Sequence, residues 1–98
     1  MNISENELAR RISITNELGL HARPAALIAK LARSAKHNVW IVRDEEKVDA
    51  TSIIDILSLA CLKGTEITLK VDDRVDIDIL NQITELAETG FTEKGSNE

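Results

Sequence analysis

The sequence predicts an α+β fold in which helices cover one face of a mostly antiparallel, four-stranded sheet. Two observations lead to this expectation. Short segments with alternating apolar residues are interleaved with longer segments whose apolar residues recur every three or four positions. The resulting order is β-α-β-β-α-β-α. The 98 residues are expected to form a single domain, with a core over about residues 10–91 and a flexible tail over residues 92–98.

The first strand and the first helix are predicted from a change of period near His21. Residues 10–15 alternate, with Ile12 and Ile14 on one face, which is typical of a half-buried strand. Beyond a turn at residues 16–19, the apolar spacing becomes helical, and Pro24 falls in the first helical turn, where its missing N–H is harmless. Residues 1–10 are interpreted as a solvated leader.

A hairpin and a second helix are expected next. Residues 39–43 are β-branched and aromatic, residues 44–46 form a polar turn, and residues 47–50 predict a short second strand. Thr51 or Ser52 can cap the helix that follows. This helix is apolar nearly all round and is predicted to end at residues 63–64, so it is either buried on several sides or exposes an apolar patch.

The last strand and helix have the clearest patterns. Residues 66–71 alternate, and Asp72 and Asp73 form a turn. An amphipathic helix then runs to Gly90, and its apolar positions are Ile77, Leu80, Ile83, Leu86 and Ala87.

Composition excludes several classes of function. The net charge of -5, with 17 acidic and 12 basic residues, disfavours nucleic-acid binding, and one Trp and one Phe form no stacking platform for bases. Cys61 is the only cysteine, and the two histidines, His21 and His37, form no metal cluster with it, so we expect neither a metal nor another cofactor. Without a long apolar run or a secretory signal, we expect a cytoplasmic protein with no membrane insertion.

His21 is the candidate reactive residue because it lies at a predicted turn into a helix. Backbone N–H groups of the first helical turn, at Ala22 and Arg23, can bind an anion there. The helix dipole and the Arg23 guanidinium favour the same charge. The alternative is that His21 is only a polar turn residue that caps the helix. One His and one Arg do not form a complete catalytic constellation, so an autonomous enzyme is not expected.

Residues 18–25, which read LGLHARPA, resemble the active-site signature of the HPr family, the histidine-containing phosphocarriers of the bacterial phosphotransferase system. The resemblance extends over about residues 11–91. It implies an open-faced β-sandwich in which enzyme I phosphorylates His21 at Nδ1, using phosphoenolpyruvate, and IIA proteins receive the phosphoryl group during sugar uptake. Arg23 would then bind the phosphate. The implied role is a phosphoryl carrier rather than an enzyme.

The resemblance also gives the second helix a role. It implies that enzyme I and IIA proteins dock on Leu20, Ile53, Ile54 and Leu57, whereas Ile56 and Leu59 are expected in the core. Two departures concern partner choice. Asp55 stands where relatives often have Gly or a basic residue, and Ala60 stands where many have Gly.

Ser52 aligns with a serine that HPr kinase/phosphorylase modifies in some relatives, although simple helix capping explains it equally well. Three functions therefore stay open. The chain is a carrier for sugar uptake, a nitrogen-related HPr-like regulatory carrier, or an interaction module controlled at Ser52. We expect a monomer in each case.

Overall fold

The computed structural model describes the backbone of residues 5–92 and the side chains of residues 7–92. Its strands are β1 (Ala9–Ser13), β2 (Val39–Arg43), β3 (Glu46–Asp49) and β4 (Glu66–Val71). Its helices are α1 (Ala22–Ala32), α2 (Ile53–Ser58) and α3 (Ile77–Glu88). Short 3-10 helices precede β1 and α3, at Glu5–Leu8 and Arg74–Asp76.

The four strands form one sheet in the order β1-β4-β2-β3, with every neighbouring pair antiparallel. The register places Ile12 opposite Ile67, and Leu69 opposite Ile41. All four side chains are buried on the face that the helices cover. Alternation in the sequence therefore predicted the buried face correctly, and the open sheet with three helices confirms the expected fold class.

The opposite face of the sheet carries partly buried and polar side chains. Lys47 places its Nζ 4.5 Å from the centre of the Trp40 ring, and Trp40 Nε1 donates a hydrogen bond of 3.0 Å to Asp72. A flexible cation over the aromatic ring reduces the apolar area that this face presents to water.

The core between the sheet and the helices is aliphatic. Ile28 of α1 and Ile83 of α3 are fully buried. Asp76, the buried charged residue at the start of α3, accepts hydrogen bonds of 2.8 Å from the backbone N–H groups of Lys36 and His37. A buried carboxylate requires such donors. The two bonds also hold the loop after α1 against the beginning of α3.

The interpretation of residues 1–10 as a solvated leader is wrong for the part that the structure describes. The chain forms a 3-10 helix over Glu5–Leu8 and enters β1 at Ala9. Leu8 packs partly against the core. Residues 1–4, and residues 93–98 of the expected tail, lie outside the described range.

Helix α2 is shorter than its apolar pattern predicted. It ends at Ser58, and Ala60 adopts a left-handed backbone with φ of 52°. The apolar pattern continues because Leu59 and Cys61 are buried in the connection that follows, not because the helix continues to Gly64. Within the described residues, no helix has the length and apolar character needed to cross a membrane.

Candidate functional site

His21 is the N-cap residue of α1, with extended backbone angles and a partly buried side chain. Its carbonyl accepts the first bond of the helix, from Ala25 N at 3.0 Å, so the amides of Ala22 and Arg23 precede the helical ladder. The imidazole makes no capping bond. His21 therefore occupies the N-cap position that the alternative interpretation expected, but its side chain makes no capping bond.

The turn that leads into His21 is held by its own hydrogen bonds. Asn16 Nδ2 donates to the Gly19 carbonyl at 2.6 Å, and Gly19 N donates back to the Asn16 carbonyl at 3.0 Å. Gly19 has a φ of 68°, which glycine adopts without a side-chain clash. His21 N also donates to the Gly19 carbonyl, at 2.9 Å. The position of His21 therefore depends on the conformation of this turn.

Two contacts join this turn to the connection after α2. Leu20 N donates to the Cys61 carbonyl at 2.8 Å, and Lys63 Nζ lies 2.6 Å from Glu17 Oε2. The Leu20 side chain lies in the core, where it is only 4% exposed. The prediction that Leu20 contacts partner proteins is therefore wrong.

The end of α3 lies beside His21, although about 70 residues separate them in the sequence. A shallow depression of about 390 Å³ is lined by residues 16–18, by His21, Arg23 and Pro24, and by residues 90–92. Gly90 and Phe91 both have left-handed backbones, and Phe91 N donates to the Leu86 carbonyl at 2.8 Å. This pattern ends α3 as a Schellman motif and places Phe91 at the site. No pattern in the sequence indicates that Phe91 lies near His21.

Positive charge surrounds the imidazole of His21 at the start of α1. The N-terminal end of α1 carries partial positive charge, and Arg23, two residues beyond His21, is exposed and brings a guanidinium to the same turn. Over residues 7–92, no group of three His, Cys, Asp or Glu side chains is placed to hold a metal ion. The partial positive charge at the start of α1 and the Arg23 guanidinium both favour an anion beside His21.

Several large apolar side chains are exposed on and near α2. Ile54 is 77% exposed and Leu57 is 37% exposed, whereas Ile53 is partly buried against the core. Ile56 and Leu59 are buried, which confirms their expected place in the core.

Two further exposed residues were not predicted. Leu18 is 73% exposed and Leu62 is 71% exposed, and they lie where the turn before His21 meets the connection after α2. We call Leu18, Ile54, Leu57 and Leu62 the apolar patch. The outward position of Leu62 depends on where α2 ends, and the sequence pattern misplaced that end.

Ser52 is the N-cap of α2, and its Oγ accepts a hydrogen bond of 3.1 Å from Asp55 N. This confirms the predicted capping role. The side chain is partly buried and lies directly before Ile53 and Ile54. A modification at Ser52 would therefore change the charge beside the apolar patch.

Comparisons with known proteins place the sequence pattern and the geometry in context. Residues 8–89 match the family model described as the PTS HPr component phosphorylation site. The phosphocarrier protein HPr of Neisseria meningitidis serogroup A is 34% identical over 86 residues, which cover 88% of this chain and 97% of that protein.

Two further relatives differ in the extent of the match. The HPr-like protein Crh of Bacillus subtilis is 40% identical over 60 residues, covering 61% of this chain and 71% of its own. The crystal structure of HPr-C-His from Thermoanaerobacter tengcongensis superposes with a TM-score of 0.81 at 34% identity, covering 88% of this chain and 97% of that one.

Proposed function

The chain belongs to the HPr family of phosphocarrier proteins of the phosphotransferase system, and from this premise we propose that it carries a phosphoryl group on His21. Enzyme I, charged by phosphoenolpyruvate, is the proposed donor, and a IIA protein in sugar uptake is the proposed acceptor. The observation that supports this most directly is the position of His21 at the start of α1, with Arg23 in the same turn. The chain acts as a relay and needs no cofactor of its own.

The proposed transfer uses the imidazole as nucleophile. Nδ1 of His21 attacks the phosphorus of phosphorylated enzyme I, so the bond from phosphorus to the donor breaks as the new P–N bond forms. The amides of Ala22 and Arg23 and the Arg23 side chain stabilise the charge on the phosphoryl oxygens. In the transfer to the acceptor, a group of the IIA protein attacks the phosphorus, and the P–N bond to His21 breaks. Catalysis is mainly positioning and charge stabilisation, which suits an exposed site.

The apolar patch is the proposed docking surface for both partners. Ile54 and Leu57 lie on α2, and Leu18 adjoins the turn that holds His21. Partly buried Ile53 contributes at the edge of the patch. Docking there would bring the reacting group of either partner to His21 while water is excluded from the contact. We further propose that the carrier acts in the cytoplasm as a monomer.

Phosphorylation by a defined donor tests the proposal. The protein is mixed with enzyme I, magnesium and labelled phosphoenolpyruvate, and the product is treated with acid and with base. We expect a label that acid removes and base does not, because that stability is typical of phosphohistidine. His21→Ala should abolish it.

His37→Ala is the matched control, because His37 is the second histidine of the chain and lies at the other end of α1. We expect this variant to be labelled like the wild type. An unlabelled wild type, or equal labelling of His21→Ala, would rule out the carrier function.

The acceptor decides between two branches of the proposed function. A nitrogen-related HPr-like carrier would be phosphorylated at His21 in the same way but would pass its phosphoryl group to a regulatory IIA protein. Incubating the labelled carrier with purified IIA proteins of the two types separates them. Faster loss of label to the sugar-specific type supports the primary proposal, and the reverse result supports the regulatory branch.

A second candidate function is an interaction module controlled by phosphorylation of Ser52. Its support is local, because a phosphate at the start of α2 would add about 1.5–2 negative charges next to Ile54. This candidate predicts that His21→Ala keeps the function, whereas the carrier proposal predicts its loss. HPr kinase/phosphorylase is the proposed modifying enzyme.

A further inference from the structure

Arg43, the last residue of β2, reaches across to the end of α2. Its Nη1 donates to the Leu59 carbonyl at 2.6 Å and to the Ala60 carbonyl at 3.0 Å. These carbonyls follow the last helical residue, Ser58, where a helix leaves acceptors without partners in its own ladder. A cation at this end is also favoured by the helix dipole.

The segment that Arg43 holds is conformationally unfavourable. Ala60 has a φ of 52°, a backbone conformation that a side chain with a Cβ disfavours and that glycine adopts easily. Burial raises the pKa of the neighbouring Cys61 thiol, and the Arg43 guanidinium opposes that rise. The guanidinium thus contacts a strained turn that lacks the usual glycine.

This turn supports the residues before His21. Leu20 N donates to the Cys61 carbonyl, and Gly19 lies against the same carbonyl and against Leu62. A shift of Cys61 would therefore move the Gly19–Leu20 backbone and, with it, the imidazole one residue further on.

We propose that Arg43 is a positioning residue for phosphoryl transfer at His21. It holds the Leu59 and Ala60 carbonyls, keeps Ala60 in its left-handed conformation and so fixes the carbonyl on which Leu20 is anchored. This inference rests on the proposed function for its kinetic consequence. Its structural consequence, the anchoring of the Leu20 amide, holds whether or not the phosphoryl group is transferred.

Kinetics of phosphorylation by enzyme I provide the first test. Arg43→Met removes the donors and keeps an unbranched apolar stem. We expect kcat to fall about tenfold with KM changed less than twofold, because small displacements of a nucleophile slow the chemical step. A docking defect would instead raise KM. Arg43→Lys, which keeps the charge and can donate to the same carbonyls, should restore kcat to within about twofold of the wild type.

A second substitution separates this mechanism from a general loss of charge. Ala60→Gly in the Arg43→Met background should recover most of the lost kcat, because glycine holds the left-handed turn without help. Lys47→Met is the matched control. It removes a cation on the next strand, over Trp40 on the open face, and should leave both constants unchanged.

Hydrogen exchange of the Leu20 amide gives a readout that does not need enzyme I. We expect exchange at Leu20 to be at least about tenfold faster in Arg43→Met than in the wild type, and near the wild-type rate in Arg43→Lys. An unlabelled wild type would refute the proposed function, yet this exchange rate would still decide the role of Arg43. Wild-type exchange at Leu20 together with wild-type kcat in Arg43→Met would overturn the inference. If Arg43→Met does not fold, unchanged kcat and exchange in Arg43→Ala, which also lacks a donor, would overturn it equally.

Discussion

Gly19 approaches Cys61 so closely that a Cβ atom at Gly19 would lie 2.4 Å from the Cys61 carbonyl oxygen. The neighbouring Leu20 amide donates to that same oxygen. The turn before His21 and the connection after α2 therefore meet backbone to backbone, with no room for a side chain between them. Arg43 stabilises one partner of this contact, and the Asn16 side chain stabilises the other.

Gly19→Ala should therefore reduce both stability and activity. The left-handed conformation alone opposes alanine by about 1–2 kcal/mol, and the clash with the Cys61 carbonyl adds to this. We expect chemical denaturation to show a loss above about 2 kcal/mol, and the rate of His21 phosphorylation to fall as the turn moves.

Gly64→Ala is the control for this experiment. Gly64 has a φ of 94°, but a Cβ there would meet nothing within 4 Å. Gly64→Ala should lose only the stability that the left-handed backbone costs, without a clash. Its phosphorylation should proceed at the wild-type rate. Equal effects of the two substitutions would mean that the contact between Gly19 and Cys61 has no importance for the site.

Ile54→Asp should weaken docking without destabilising the fold. Ile54 is 77% exposed in the first turn of α2, where an acidic residue is favourable to the helix. We expect the KM of enzyme I for the carrier to rise about tenfold or more, which corresponds to about 1.4 kcal/mol of lost binding. The free energy of unfolding should change by less than about 0.5 kcal/mol.

Val75→Asp is the matched control for docking. Val75 is 50% exposed. Its neighbour Asp76 accepts a hydrogen bond from the loop after α1, so Val75 lies at the opposite end of α1 from His21. The KM should stay at the wild-type value. A similar rise in both variants would show that added charge, rather than the apolar patch, governs binding.

The sequence predicted the sheet better than the surface around His21. Strand alternation is a local pattern, whereas that surface depends on contacts between residues distant in sequence. Alternation in β4 reports directly which side chains face the core. The end of α2 was misplaced because Leu59 and Cys61 are apolar for burial in an irregular turn, and Ala60 gave no glycine signal. Because the end of α2 was misplaced, the outward position of Leu62 was not predicted.

Two features of the site depend on contacts that are distant in sequence. Leu20 is buried and its backbone N–H bonds to Cys61, about forty residues away, so its place beside His21 was misleading. Phe91 reaches the site only because α3 ends there. The prediction of His21 and Arg23 rests on a local signal, in the turn and the first turn of α1.

Ser52→Ala should separate the capping role from modification. Loss of the bond from Asp55 N is expected to lower the free energy of unfolding by about 1 kcal/mol, measured by urea denaturation. With ATP and HPr kinase/phosphorylase, acid-stable label should also disappear. Ser58→Ala is the control, since Ser58 is an exposed serine at the other end of α2. Labelling that persists in Ser52→Ala would direct attention to Thr51.

Asp76→Ala should be among the most destabilising single changes. It leaves the backbone N–H groups of Lys36 and His37 without their charged acceptor, and we expect a loss of about 3 kcal/mol in chemical denaturation. Asp78→Ala, an exposed change in the first turn of α3, should lose less than about 1 kcal/mol. A small effect of Asp76→Ala would mean that water replaces the carboxylate there. The folded variant should still be phosphorylated, because Asp76 is remote from His21.

Trp40→Phe should raise the pKa of Asp72. In the wild type, the bond from Trp40 Nε1 lowers this pKa most, followed by the bond from Asn38 Nδ2. The folded state therefore holds Asp72 ionised to a lower pH than the unfolded chain does. The contribution of Asp72 to the free energy of unfolding is present above the ordinary pKa of the carboxyl group. It is lost as the pH falls through the lowered pKa of the folded state. Phenylalanine keeps a ring beneath Lys47 and removes only the donor, so NMR titration of the Asp72 carboxyl carbon isolates the hydrogen bond. Asn38→Ala should raise the pKa less, and an unchanged pKa in Trp40→Phe would contradict this assignment.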